Sequence, residues 1–148
     1  MEKPKSIYRK KSKLVGKCRS DIGYGCFAAE VIAKRSFIAY FIGALVSNAE
    51  YNSKPESAKG YAHYFDKGKV FDCYDYAKAN LCTASMANSP HRTTTKFANC
   101  KVVVDHRNQR VYLRAITDIQ LDEELVYFYG STYTHYPSCV RKYCACKI

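Results

Sequence analysis

The sequence predicts a mostly-β fold made of several small, curved sheets with few short helices. Runs rich in β-branched and aromatic residues, at 26–32 and 36–46, are typical of strands. Within 61–73 and 102–116, two apolar runs flank polar turn residues, and each of these segments predicts a hairpin. A helix is expected at 75–87, which is rich in alanine and free of glycine.

Polar segments connect these elements. Residues 47–60 combine Asn, Ser, Pro and Gly and predict a loop, and 117–124 predicts a turn. Residues 1–13 are polar and basic and predict a flexible arm, either a patch for nuclear import or nucleic acid, or a solvated tail. We therefore divide the chain into this arm, one domain at 14–130, and an aromatic, cysteine-rich segment at 131–148.

The composition narrows the class of protein. The 148 residues carry a formal net charge of +11, from 24 Lys and Arg against 13 Asp and Glu. Such a field favours polyanionic partners, although solubility and a basic tail explain it equally well. No run has the length of a membrane-spanning helix, and residues 1–17 lack the apolar core of a secretory signal. We therefore expect an intracellular protein without membrane contact, whose eight cysteines are free thiols or metal ligands.

Four short segments follow one another along the chain. Residues 22–28 read IGYGCFA, residues 39–46 read AYFIGALV, residues 84–89 read ASMANS and residues 122–130 read DEELVYFYG. In this order they resemble the motifs of the SET domain of protein lysine methyltransferases. The first resembles the opening Gly-x-Gly-hydrophobic-Phe-Ala motif, the second the Tyr-x-Gly-Glu strand that follows it, and the third occupies the place of Arg-Phe-Ile-Asn-His-Ser. The last resembles the closing Gly-Glu-Glu-Leu-x-Phe/Tyr-Asp-Tyr-Gly motif, the most specific of the four.

The chain also departs from the family pattern. Ser85 stands for the usual Arg, Ser89 for His, Ala44 for Glu and Phe128 for Asp. A longer loop, 90–98, separates the third motif from a stretch that resembles the family's Pro-Asn segment.

The resemblance implies a SET-like fold with a threaded C-terminal segment, S-adenosylmethionine as methyl donor and a lysine substrate. Tyr129 would be the catalytic tyrosine, whose hydroxyl orients the amine. Tyr127 would occupy the family's Phe/Tyr switch position, where a hydroxyl leaves less room and favours mono- or dimethylation. Without the motif, Tyr129 would be interpreted as a tyrosine at a strand end whose hydroxyl bonds the backbone, and Tyr127 as a cross-strand packing tyrosine.

The resemblance also implies binding residues. The cofactor would be bound by a glycine turn, a tyrosine and an Asn-Ser pair: Gly23, Tyr24, Gly25, Tyr61, Asn88 and Ser89. The lysine would be bound by tyrosines: Tyr40, Tyr127 and Tyr133. The alternatives are a plain turn at the glycines, an Asn88 that only breaks a helix before Pro90, and core packing of Tyr40 and Tyr61. His63 has no partner pattern and is expected at the surface.

Cysteines near the C-terminus resemble part of a zinc-binding post-SET segment. Cys139, Cys144 and Cys146, with His91 as a fourth ligand, could form a tetrahedral zinc site. Free cysteines are the alternative.

The implied partner is a histone or another protein with a target lysine, and the implied location is the nucleus. The charge predicts contact with nucleosomal DNA, so we expect better activity on nucleosomes than on free peptide. Nothing in the residues fixes the oligomeric state, and a homodimer stays open. Two rival functions are a non-catalytic SET-like binding module and a basic nucleic-acid-binding domain with stacked tyrosines.

Overall fold

A computed structural model describes residues 5–14, 23–88 and 98–128. In chain order these residues form the strands β1 (Ile7–Lys11), β2 (Tyr24–Ala28), β3 (Phe37–Tyr40), β4 (Ala44–Ser47), β5 (Ala62–Asp66), β6 (Lys69–Asp72), β7 (Cys100–Asp105), β8 (Arg110–Ala115) and β9 (Glu124–Leu125). The helices among them are short: α1 (Asn48–Asn52), α2 (Tyr74–Lys78) and two 3-10 helices at Glu56–Ala58 and Thr83–Met86. None of these helices is long and apolar enough to cross a membrane.

The strands form three small antiparallel sheets with the orders β1-β2-β9, β3-β8-β7 and β4-β6-β5. This confirms the predicted mostly-β fold of small sheets with few short helices. The C-terminal segment predicted to be threaded lies outside the described residues from 129 onward. The core joins buried side chains of all three sheets, among them Val111, Leu113 and Leu125.

Both predicted hairpins are confirmed. β5 and β6 turn at Gly68, whose φ of +146° is a conformation that glycine adopts without strain. β7 and β8 pair in unbroken register from Cys100 opposite Ala115 to Asp105 opposite Arg110.

The prediction of a flexible arm is wrong for residues 7–11. They form β1, which pairs with β2 from Ile7 opposite Ala28 to Lys11 opposite Tyr24. Ile7 is buried in the core, whereas Arg9 and its basic neighbours face solvent. Charged side chains are normal on an edge strand, because the strand pairs on one side only.

Three other elements differ from the prediction. The single strand expected at 36–46 is split into β3 and β4, because β3 pairs with β8 whereas β4 pairs with β6 in a different sheet. The helix expected at 75–87 stops early, since Asn80 adopts a left-handed φ of 59°. The loop expected at 47–60 contains α1, which begins where the Ser47 hydroxyl accepts a hydrogen bond from the Glu50 amide.

Candidate active site

The glycine turn predicted to bind the cofactor leads into β2. Gly23 has a φ of +89°, and its carbonyl accepts a hydrogen bond of 2.8 Å from the amide of Ser12 in the segment after β1. Tyr24 is about half exposed, and the guanidinium of Arg9 lies 3.6 Å from its ring centroid. The turn is therefore fixed by two contacts from the N-terminal segment, which the sequence analysis did not anticipate.

Position 25 requires a residue without a side chain, because Glu124 of β9 lies very close to it. A Cβ built at this buried position would collide with the carboxyl group of Glu124 and lie 3.3 Å from the Cβ of Ser12. The second glycine of the Gly-x-Gly motif therefore makes room for a carboxylate of β9.

Glu124 is a buried carboxylate with hydrogen-bond partners. The Ser12 hydroxyl lies 2.7 Å from Oε2 and 3.0 Å from Oε1, and the Asn88 amide donates to Oε2 over 3.3 Å. Only 6% of this residue is exposed. A buried charge without such partners would be costly, so Ser12 and Asn88 are part of what allows Glu124 to lie here.

Asn88 connects the glycine turn to the closing motif. Its side-chain amide also donates to the backbone carbonyl of Tyr24 over 3.2 Å. The backbone carbonyl of Asn88 accepts from the backbone amide of Tyr127 over 3.0 Å. It forms a parallel bridge with Val126. Three of the regions that the sequence analysis assigned to one site, the glycine turn, Asn88 and the closing motif, are thus joined in space.

Asn99 holds the closing motif from its other side, although the sequence analysis gave it no role. Its Oδ1 accepts from the Val126 amide, and its Nδ2 donates to the carbonyl of Glu124, both over 2.9 Å. The same Nδ2 donates to the carboxylate of Glu123. The side chain is buried. It makes hydrogen bonds to the backbone of Glu124 and Val126 that a neighbouring strand would otherwise make.

An aromatic cluster lies beside this hydrogen-bonded network. The ring of Phe41 lies 4.1 Å from that of His63 and 6.0 Å from that of Tyr127, and the His63 and Tyr127 rings are 6.4 Å apart. Phe41 and Tyr127 are buried. His63, expected at the surface, is half-buried against these two rings, and burial lowers the pKa of its imidazole to about 4. The strand alternation that places His63 on the same face as buried Phe65 was the available signal.

The family model of the SET domain matches residues 23–130 of the chain. The chain belongs to the SET-domain family. This confirms the family that the four sequence motifs predicted.

Solved structures of polycomb repressive complex 2 are similar to this SET domain. One, the ctPRC2 complex in an autoinhibited conformation bound to S-adenosylmethionine, has 25% identity and a TM-score of 0.64, and the match covers 95% of this chain. The Chaetomium thermophilum complex has 25% identity, a TM-score of 0.63 and 90% coverage. An active complex in its basal state has 26% identity, a TM-score of 0.65 and 86% coverage. These matches cover 15–16% of the other chains, so this chain corresponds to about one sixth of their length. No curated protein matches the chain.

Two other predicted site residues, Tyr61 and Tyr40, make ring contacts with other side chains. The ring of Tyr61 lies 6.2 Å from that of Tyr74, with the Lys78 ammonium 5.7 Å from its centroid. Tyr40 lies on the outer face of β3, where its ring contacts those of Phe37 and Tyr112. The other predicted residues lie outside the described residues: Ser89, His91, Tyr129, Tyr133, Cys139, Cys144 and Cys146. Within 5–14, 23–88 and 98–128, no group of three His, Cys, Asp or Glu side chains could hold a metal ion.

Proposed function

We propose that this SET domain transfers a methyl group from S-adenosylmethionine to the side-chain amine of a lysine in a protein. The observation that carries the proposal is the single network through which Asn88 contacts Tyr24, Glu124 and Tyr127, next to an aromatic cluster. Family membership and the 25%-identical complex bound to S-adenosylmethionine support the same reaction.

The chemistry of the network fits the proposed cofactor. S-adenosylmethionine supplies a methyl group on a positively charged sulfur, next to an ammonium and a carboxylate. The carboxylate of Glu124 provides negative charge beneath the glycine turn, and the Asn88 amide can donate and accept hydrogen bonds. At Gly23, a Cβ would meet no atom of residues 5–14, 23–88 or 98–128 within 4 Å, so these residues leave space at the turn itself. We therefore assign cofactor binding to residues 23–25 and Asn88.

We assign the aromatic cluster to the lysine channel. A lysine amine must lose its proton before it attacks, and enclosure by Phe41, His63 and Tyr127 would favour the neutral amine by removing water. The rings would also pack against the lysine methylenes. Because the pKa of His63 is about 4, its imidazole is neutral near pH 7 and adds no positive charge beside the substrate.

Two tyrosines of the closing motif complete the proposal. Tyr129 would orient the amine through its hydroxyl, and Tyr127, at the edge of the cluster, would limit the number of methyl groups that fit. We therefore expect mono- and dimethyl-lysine as main products.

The proposed substrate is a histone in a nucleosome, which implies a nuclear location. The net charge of +11 would attract nucleosomal DNA and would repel a basic, isolated histone tail. Nucleosomes should therefore be methylated faster than the free peptide, with a difference that shrinks as salt is added. Equal rates on peptide and nucleosome at low salt would refute this part.

The test of the reaction is transfer of labelled methyl from S-adenosylmethionine to core histones and nucleosomes. The wild type should label one histone, Tyr129→Phe should lose most of the activity, and Tyr64→Phe should retain it. Tyr64 is the matched control because its side chain is exposed on β5. No label on any histone, with cofactor binding still measurable by calorimetry, would refute the histone substrate. Loss of both would refute the enzyme and favour a non-catalytic SET-like binding module.

A further inference from the structure

The outer face of the β3-β8-β7 sheet alternates aromatic and basic side chains. On β8, Arg110, Tyr112 and Arg114 face outward, because Val111 and Leu113 between them are buried. Alternate residues of a strand lie about 6.5–7 Å apart on one face. Tyr112 thus lies between two arginines along the strand, and the guanidinium of Arg114 lies 5.6 Å from its ring centroid.

A β-bulge brings two more rings to the same face. Phe37 pairs with Arg114 and Tyr40 with Tyr112. The bulge lies between Phe37 and Ala39, and Ile38 and Ala39 are buried. An unbroken strand would send positions 37 and 40 to opposite faces. Instead the Phe37 and Tyr40 rings lie 4.8 Å apart, and the Phe37 ring lies 5.4 Å from that of Tyr112.

These rings are exposed to solvent. Phe37 is 50% exposed and Tyr40 is 39% exposed, although large apolar side chains this close together are normally covered. The guanidinium of Arg110 lies 4.8 Å from the Tyr40 ring centroid, and that of Arg114 donates to the Tyr112 hydroxyl over 2.8 Å. The arginines therefore contact Tyr40 and Tyr112, while Phe37 remains half exposed and has no arginine over its ring among the described contacts.

The charge of this face is positive. Lys101 on β7 is exposed opposite Arg114 and adds a third cation to Arg110 and Arg114. Asp105, opposite Arg110, is the acidic side chain of β7 on this face, and it accepts hydrogen bonds from Asn108. Three cations against one carboxylate favour a polyanion.

We propose that this surface binds single-stranded nucleic acid. We call it the aromatic–basic face and define it as Phe37, Tyr40, Lys101, Arg110, Tyr112 and Arg114. Exposed rings would stack on unpaired bases, and the cations would contact successive phosphates. A duplex hides its base faces in the stack, and the acidic side chains of a peptide carry no aromatic ring that could stack on the exposed rings, so neither uses both features of the face.

The binding test uses a fluorescein-labelled 12-residue oligouridylate and fluorescence anisotropy. Phe37→Leu combined with Tyr40→Leu should weaken binding by at least about tenfold, since stacking on each ring contributes severalfold or more. Tyr64→Leu removes an aromatic ring of greater exposure from a different sheet and should leave the affinity unchanged. A labelled duplex of equal length should bind more weakly than the oligouridylate.

The charge test compares two matched double variants. Arg110→Gln with Arg114→Gln should lower the salt dependence of binding, with the slope of log K against log salt reduced by about 1.4. Lys67→Gln with Lys69→Gln removes the same charge from the β5-β6 hairpin, where both lysines are exposed, and should change the slope less.

Thermal unfolding followed by circular dichroism checks that each variant is folded. Methyl transfer to histones, where it occurs, should persist in the Arg110→Gln and Arg114→Gln variant, because neither arginine belongs to the proposed active site, so a failure of this proposal is separable from a failure of the enzyme. Three outcomes overturn the proposal: equal or tighter binding of the duplex, unchanged affinity in the folded ring variant, or competition by poly-glutamate as effective as by unlabelled oligouridylate.

Discussion

The half-buried His63 should make stability fall on mild acidification. In the unfolded chain an imidazole titrates near 6.5, whereas burial beside Phe41 and Tyr127 lowers the pKa of His63 to about 4. Between these values the unfolded state binds a proton that the folded state does not, so stability is lost as pH falls from 6.5 toward 4. At pH 5, protonation of His63 favours the unfolded state about thirtyfold over the folded state. The free energy of unfolding is therefore about 2 kcal/mol lower at pH 5 than at pH 7.5.

His63→Phe removes this titration and keeps a ring against Phe41. Urea unfolding of wild type and variant at pH 5.0, 6.0 and 7.5 should show that the wild type loses about 2 kcal/mol more than the variant. Tyr64→Phe, an aromatic change on the same strand, should follow the wild type at every pH. A difference between wild type and His63→Phe that stays constant with pH would refute the burial of this imidazole, as would an NMR titration of His63 with a midpoint near 6.5.

Three further predictions concern neighbouring positions. Asn99→Ala should lower the free energy of unfolding by about 2–4 kcal/mol, because it breaks three hydrogen bonds to residues 123–126; chemical unfolding measures this, and a loss below 0.5 kcal/mol would contradict it. Gly43→Ala should cost about 1–3 kcal/mol in the same assay, since its Cβ would lie 2.6 Å from the carbonyl oxygen of Asp72; unchanged stability would contradict this close approach. Tyr127→Phe should raise the share of trimethyl-lysine seen by mass spectrometry of the product, whereas an unchanged product distribution would remove Tyr127 from the control of methylation state.

Local chemistry made the hairpins predictable. Asp66–Lys69 combines turn residues with flanking apolar runs, and Gly68 adopts the positive φ that such a turn needs. The position of β1 could not be obtained in this way. Its basic residues have no local signal for a strand, and the pairing with β2 depends on long-range hydrogen bonds. The same reason applies to Ser12, which contacts Glu124 more than a hundred positions away.

The site residues that belong to a family motif could be predicted from the sequence. Asn88, the glycine turn and the closing motif were selected by resemblance, and the described contacts bring them together. His63 and Asn99 were missed because each depends on what surrounds it. A single histidine or asparagine in a strand or loop is ordinary, and its burial follows only from the packing of distant elements.

Tyr40 and Phe41 are consecutive residues, but each belongs to a different proposed site. Tyr40 is the last residue of β3 and points to the aromatic–basic face, whereas Phe41 is buried against His63. Phe41 remains tied to the sheet through its amide, which donates to the carbonyl of Val111 over 2.8 Å. Because consecutive residues point to opposite sides, substitutions one position apart should affect nucleic-acid binding in one case and methyl transfer in the other. A nucleic acid on the aromatic–basic face would then contact the strand that also positions a wall of the proposed lysine channel. If both proposals hold, saturating oligouridylate should change the KM for a lysine peptide in the wild type and should not do so in the Phe37 and Tyr40 variant.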